Sequence, residues 1–196
     1  MKRTLFITWL SVMAISLGAC ANDNSKSGIT VTQAKLTERE KAILTNATDK
    51  SFVFDFKIDS EYKEVSVWVE KYEFGKMVDD KSYVSTEIEN RGSIIFTTSM
   101  ANADQASFNV SISSDGTTSK VSHIETISED MSSLGGSNQE ENLPIEGEMV
   151  LASLCYASGE DVMSSLTTDF YNDVEGNIDE IKDYDVVYLL KSEFIK

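Results

Sequence analysis

The sequence is poor in histidine, proline, cysteine and basic residues. Its 196 residues include one histidine, one proline and two cysteines, and 33 acidic residues outnumber 17 lysines and arginines. So few ligating side chains exclude a multi-histidine or four-cysteine zinc site. A formal charge of −16 without a basic block also makes nucleic acid a poor candidate partner, because such binding depends on phosphate neutralisation by lysine and arginine.

The first 19 residues have the three-part layout of a secretory signal peptide. Lys2 and Arg3 form a positive region, residues 5–15 form an apolar run, and small residues precede a cleavage point. The apolar run is too short for a stable membrane-spanning helix, which needs about 20 apolar residues. We therefore expect residues 1–19 to direct export and then to be removed.

The motif Leu17-Gly18-Ala19-Cys20 closely resembles a bacterial lipobox. The resemblance implies that Cys20 is acylated, becomes the first residue of a mature lipoprotein and anchors it by lipid chains such as palmitate. Two or more acyl chains anchor a protein stably, whereas a single chain is marginal. The implied location is the extracytoplasmic face of the cell membrane, or the outer membrane in a diderm host, since Ala21 and not aspartate follows. In these respects the chain is similar to small uncharacterised lipoproteins of Gram-positive bacteria, which implies no particular activity.

Acylation of Cys20 leaves Cys155 without an intramolecular disulfide partner. Cys155 lies in an apolar run over residues 149–156, so we interpret it as a small buried hydrophobe. The stability of the domain must then come from its core.

The remaining chain divides into a polar tether at residues 20–34 and a single domain at residues 35–196. A short helix is predicted over residues 36–44, because Thr37 and Glu40 have the spacing of a capping box.

Alternating apolar and polar residues predict strands through the rest of the domain. Residues 52–58 and 65–69 show the clearest alternation, and we expect these two runs to pair as a hairpin. Asp115-Gly116 predicts a second hairpin. A long loop is expected over residues 129–147. Further elements are predicted as strands at 93–98, 149–156 and 186–190 and as a helical turn at 178–181.

Seven to nine short strands with one early helix predict a mainly β fold. We expect an antiparallel β-sandwich, immunoglobulin-like or jelly-roll-like in layout. An α+β domain is the alternative if the polar stretch at residues 159–184 contains more helix.

No catalytic motif is present, and neither enzyme activity nor a cofactor is expected. Only His123 is available for a Ser-His-Asp triad, and it has no local partner motif, so we interpret it as a half-exposed strand residue. Among 33 acidic residues no catalytic pair can be singled out. An envelope hydrolase using paired carboxylates therefore stays an alternative function.

Two groups of side chains are candidates for ligand binding. Aromatic residues around one turn are suited to stacking against a sugar or a peptide; they are Trp68, Tyr72, Phe74 and Tyr83. A weaker, oxygen-rich candidate for calcium lacks the first ligand of the EF-hand order; it comprises Asp169, Asp173, Glu175 and Asn177. We interpret this second group as a solvated acidic surface and predict no metal site.

The sequence favours a membrane-anchored extracytoplasmic lipoprotein with a non-catalytic binding or interaction domain. Its expected partners are the membrane, through Cys20, and an envelope protein, peptide or glycan. A third possibility is a structural or inhibitory surface lipoprotein, which a large exposed apolar patch would indicate.

Overall fold

The chain folds into two antiparallel sheets packed face to face. The computed structural model describes residues 28–128, 130–159 and 163–196. The strands are β1 Thr30–Gln33, β2 Lys50–Lys57, β3 Glu64–Glu73, β4 Lys76–Glu87, β5 Arg91–Asn102, β6 Gln105–Ser114, β7 Thr117–Thr126, β8 Met131–Ser137, β9 Leu143–Pro144, β10 Glu148–Ser158 and β11 Val186–Ile195. The helical elements are α1 Glu38–Ala47, α2 Thr168–Asn172 and a 3₁₀ turn at Ile178–Ile181.

One sheet has the strand order β7-β6-β5-β2-β1-β9, and the other has the order β4-β3-β11-β10-β8. The prediction of a mainly β sandwich with a short N-terminal helix is confirmed, and the α+β alternative is not what the chain adopts. The described residues form eleven strands, several of them ten or more residues long, so the expected number of seven to nine short strands was too low.

The main core lies between the two sheets and is built from the inward face of each strand. Phe54, Phe96, Phe108, Leu154 and Tyr188 are completely buried there. Burying one such side chain contributes roughly 1.5–3 kcal/mol. A second core covers the outer face of the five-stranded sheet. All residues of both cores lie between residues 29 and 194, so a chain of residues 28–196 carries both.

The polar stretch that precedes β11 contributes apolar side chains to the second core. Phe170 of α2 and Ile181 of the 3₁₀ turn are fully buried against the outer face of the sheet, beside Leu189 and Cys155. Cys155 is 2% exposed, which confirms its interpretation as a small buried residue. The predicted helical turn at 178–181 is also confirmed.

Helix α1 begins at the predicted capping box. The Thr37 backbone N–H donates to Glu40 Oε2 at 2.7 Å, and the Glu40 N–H donates to Thr37 Oγ1 at 3.3 Å. None of its residues is buried. This helix therefore depends on its cap more than on packing.

The predicted hairpin between residues 52–58 and 65–69 is wrong. Strand β2 pairs with β1 and β5, whereas β3 pairs with β4 and β11 in the other sheet. Both runs contribute to the same core from opposite sides. Alternation identifies the buried face of a strand, but it does not identify the neighbouring strand.

The loop predicted over residues 129–147 is wrong in part, since β8 pairs with β10 and β9 pairs with β1, while residues 138–142 and 145–147 lie outside the strands. Two glycines in β8 made this strand resemble a loop in the sequence. A Cβ atom at Gly135 would lie 2.8 Å from Cζ of Phe52, and one at Gly136 would lie 2.6 Å from the Tyr171 hydroxyl oxygen. Close packing on both faces of the strand therefore requires residues that normally indicate a loop.

The folded domain begins earlier than predicted. Strand β1 lies within the expected tether at residues 20–34, yet it pairs with β2 and β9. The predicted signal peptide, the lipobox-like motif and Cys20 lie outside the described residues. Within the described ranges, no helix has both the length and the apolarity needed to cross a membrane.

Candidate functional site

The four aromatic residues predicted to bind a ligand lie in different environments. Trp68 is half-buried and Tyr83 is 61% exposed, and both belong to the outer face of the β3–β4 pair. Tyr72 is buried in the second core, and Phe74 lies at the tip of the β3–β4 hairpin. The structure therefore brings only Trp68 and Tyr83 onto one accessible face.

Glu70 fixes the indole ring of Trp68 on this face. Trp68 Nε1 donates to Glu70 Oε1 at 3.2 Å, the Tyr72 hydroxyl donates to Oε2 at 2.7 Å, and Lys191 Nζ lies 3.0 Å from Oε1. Burial alone would raise the pKa of Glu70, but the hydrogen bonds from Tyr72, Lys191 and Trp68 outweigh burial, so the pKa is lowered. The carboxylate is therefore charged and holds three side chains in place.

A β-bulge in β4 turns Tyr83 outward. The register between β3 and β4 shifts between Val67 and Val69, and Ser82 adopts the left-handed region at φ 56°. The Tyr83 hydroxyl lies 2.8 Å from Ser66 Oγ, so its ring is held on the same face as Trp68. A bulge of this kind breaks the two-residue period, and the sequence pattern gives no sign of it.

We call the surface formed by Trp68, Glu70, Tyr83 and Lys191 the aromatic face. It combines two aromatic rings with a charged hydrogen-bonding pair on an open sheet. Lys191 Nζ also lies 3.5 Å from Glu148 Oε2. Glu70 and Glu148 therefore share one lysine rather than facing each other across a cleft.

His123 lies in a polar cluster between the edge strands β7 and β4. Its Nδ1 shares a hydrogen bond with Ser82 Oγ, and its Nε2 lies 3.4 Å from Glu125 Oε1. The Tyr188 hydroxyl donates to Glu125 Oε2 at 3.0 Å, and Lys71 Nζ is 3.5 Å from the same oxygen. Burial lowers the pKa of His123, and the charge of Glu125 offsets this only in part. The imidazole is therefore neutral at neutral pH.

Ser82, His123 and Glu125 are residue types found in serine-hydrolase triads, but their arrangement differs. In such a triad the serine bonds to Nε2 and the acid to Nδ1, whereas here the two nitrogens are exchanged. Ser82 is also only 8% exposed. The cluster thus connects the two sheets, as the 3.1 Å hydrogen bond from Ser119 to Thr86 does nearby.

Sequence reasoning found His123 but missed the residues around it. Glu125 was detectable, because residues two apart on a strand share a face. Ser82 is 41 residues away in another sheet, and no local pattern connects it to His123.

The weak candidates for calcium ligation lie at a turn after α2, which three of them stabilise. Asp173 Oδ1 accepts from the Gly176 N–H at 2.9 Å, and Asn177 Nδ2 donates to the carbonyl oxygens of Asp169 and Asp173. Glu175 lies between Asp173 and Asn177 in the chain. In the described part of the chain, no three or more His, Cys, Asp or Glu side chains are grouped to hold a metal ion.

The folded region matches a known protein family. A family model described as the YgaN domain matches residues 30–194, and the chain therefore belongs to the YgaN domain family. Comparisons with curated proteins and with solved structures gave no match. The matched region begins at the first residue of β1 and ends within β11, so it coincides with the sandwich.

Proposed function

We propose that the chain is a lipid-anchored extracytoplasmic protein whose sandwich domain binds a glycan of the cell envelope without catalysing a reaction. The observation that carries the binding role is the aromatic face. The lipid anchor is supported by the lipobox-like motif at Cys20, which precedes the matched region.

The chemistry of the aromatic face suits a neutral, hydroxyl-rich ligand. Trp68 and Tyr83 present flat apolar surfaces with polar tips, the combination that is enriched where proteins bind partners. Glu148 and Glu193 supply acceptors on the outer face, and Lys191 supplies donors. A sugar chain has both apolar ring faces and hydroxyl groups, so it complements this surface.

A co-sedimentation experiment tests the binding role. The 28–196 chain is mixed with purified peptidoglycan and, separately, with insoluble cell-wall polysaccharide. We expect saturable binding that the variant with Trp68→Ala and Tyr83→Ala weakens at least tenfold. Phe74→Ala is the matched control, because Phe74 and Tyr83 are equally exposed at 61%. Absence of binding to either material, or equal binding by all variants, would contradict the proposal.

Metabolic labelling tests the anchor independently. The full chain is expressed in a bacterium supplied with an alkyne analogue of palmitate. Label is expected on the wild-type chain and is expected to be lost in Cys20→Ala. An unlabelled wild-type chain would refute the lipid anchor but would leave the binding experiment unaffected.

A second candidate, docking on another envelope protein, is favoured by the tip of the β3–β4 hairpin. Phe74, Met77 and Val78 are 61%, 54% and 49% exposed there. Exposed apolar side chains in such a group are typical of protein interfaces. Partner capture that depends on Phe74 and Met77 but not on Trp68 would favour this function.

A further inference from the structure

A pocket opens between the two sheets at the end of the sandwich where β2 begins. Its volume is about 320 Å³, which is near the lower end for small-molecule sites. Thr30, the first residue of β1, pairs with Lys57 at the other end of β2. The pocket therefore lies at the end of the domain away from the start of β1.

Tyr156 of β10 supplies the polar group inside this pocket. It is only 7% exposed, yet its hydroxyl forms no hydrogen bond with any residue in the described ranges. Burial raises the pKa of Tyr156 to about 12, and the nearby charge of Asp49 acts in the same direction. The hydroxyl is thus protonated at neutral pH and can donate a hydrogen bond to a ligand in the pocket.

One part of the pocket wall is apolar and adaptable, whereas Thr98, Ser99 and Ser128 add polar groups to the lining. Ala106 and Ile127 are buried in its wall, Met131 is partly buried, and Met100 at the mouth is 50% exposed. The Met100 backbone N–H donates to Asp49 Oδ2 at 2.6 Å, so the main chain at the mouth is fixed while its side chain extends into solvent. Methionine side chains adjust readily to different apolar shapes.

Charge at the mouth restricts the ligand further. Asp49 and Lys50 both line the pocket, so the mouth has one charge of each sign. The chain as a whole has a formal charge of −16, which disfavours anions.

We propose that this pocket binds an uncharged small molecule with an aromatic or slender aliphatic body and one carbonyl or ether oxygen. The oxygen accepts a hydrogen bond from the Tyr156 hydroxyl, and the apolar body lies against Ala106, Ile127 and Met131. The pocket is separate from the aromatic face, so this proposal does not depend on whether the aromatic face binds a glycan.

Fluorescent probes of matched shape test the proposal on the 28–196 chain. Prodan is a neutral naphthyl ketone, and N-phenyl-1-naphthylamine is a neutral naphthyl compound without a carbonyl group. We expect saturable one-to-one binding of prodan with a blue-shifted emission. Tyr156→Phe should weaken prodan binding about three- to tenfold, the effect of one hydrogen bond, and should leave N-phenyl-1-naphthylamine binding unchanged.

A pair of variants at neighbouring positions identifies the site. Ser133 is exposed at the mouth, whereas Ser132 points to the opposite face of β8. Ser133→Phe should reduce binding of both probes at least tenfold, and Ser132→Phe should bind as the wild type does. Absence of saturable binding, or unchanged binding by Ser133→Phe, would overturn the proposal.

Discussion

Ser82 of β4 and His123 of β7 are joined by a hydrogen bond between edge strands of opposite sheets. No backbone pairing connects β4 with β7 among the described strands, so side chains close this side of the sandwich. Exposed strand edges invite pairing with other chains, and side chains that cross the gap protect both edges. His123 therefore contributes to the closure of the fold. Because an imidazole can gain a proton, this contribution should depend on pH.

The lowered pKa of His123 predicts a pH-dependent stability. Between the ordinary pKa of 6.5 and the lower folded value, the unfolded chain binds more protons at this position than the folded chain does. The free energy of unfolding attributable to His123 should therefore fall as the pH drops below 6.5. The check is urea unfolding from pH 5 to 7.5, with the wild type compared with His123→Gln.

Nuclear magnetic resonance gives the same pKa directly, because the chain has one histidine and hence one imidazole signal to follow. A titration midpoint at or above 6.5 in the folded chain would contradict the expected direction. His123→Gln should reduce the pH dependence in this window, and it leaves the carboxylates that titrate at lower pH in place.

Removal of the Glu70 charge should destabilise the sandwich. Glu70→Gln weakens the hydrogen bonds from Trp68 and Tyr72 and leaves the 13%-exposed Lys191 with only the more distant Glu148. Hydrogen bonds to buried charged groups contribute about 1.5–3 kcal/mol, and we expect a loss in this range by urea unfolding. Glu148→Gln is the control, since its side chain is 58% exposed and a surface pair contributes about 0–1 kcal/mol.

The pH dependence of this effect also has a definite sign. Because the folded pKa of Glu70 is lowered, its contribution is present above the ordinary value of 4.5 and is lost as the pH falls through the folded value. The difference between the wild type and Glu70→Gln should therefore shrink in acid. A difference that stays constant down to the acid unfolding range would argue against a charged Glu70.

Structural features that depend on short stretches of chain could be predicted from the sequence. The capping box of Thr37 and Glu40 depends on residues three apart, and the Asp115-Gly116 turn depends on two adjacent residues that both adopt positive φ. The buried strands β10 and β11 were detectable because apolar runs of that length must be buried. These features are fixed by short stretches of chain, so a single sequence is sufficient to predict them.

Structural features that depend on contacts between distant parts of the chain could not be predicted from the sequence. The partners of β2 and β3 depend on which sheet each joins, and the bulge at Ser82 is visible only in the register with β3. The aromatic face was predicted only in part, since Trp68 and Tyr83 share it whereas Tyr72 is covered by the second core. The segment that covers Tyr72 lies about a hundred residues further along the chain, and no local pattern indicates that contact.

Cys155 should be unreactive in the folded protein. Burial raises the pKa of its thiol to about 12, an effect that a hydrogen bond with Ser153 offsets only in part. The thiolate is the reactive form, so almost none is present at neutral pH. Ellman's reagent should label the 28–196 chain, which lacks Cys20, only after urea is added. Rapid labelling of the folded chain would show that the second core opens readily.

Gly135 should be intolerant of even one added methyl group. A Cβ atom there would lie 2.8 Å from the Phe52 ring, which is packed in the main core and stacked on Phe96 at a centroid distance of 5.9 Å. Overpacking a core by a methyl group costs about 1–3 kcal/mol, and we expect Gly135→Ala to lower the free energy of unfolding by this amount. Ser132→Ala, on an exposed position of the same strand, should change it by less than about 0.5 kcal/mol.

A double variant separates this clash from a general weakness of β8. Phe52→Leu removes the ring atoms that a Cβ at Gly135 would meet, so the loss in the double variant should be smaller than the two single losses combined. A coupling of about 0.5 kcal/mol or more is expected for residues in direct contact. If the two losses simply add, the glycine is required for the backbone of β8 and not for the packing of Phe52 against it.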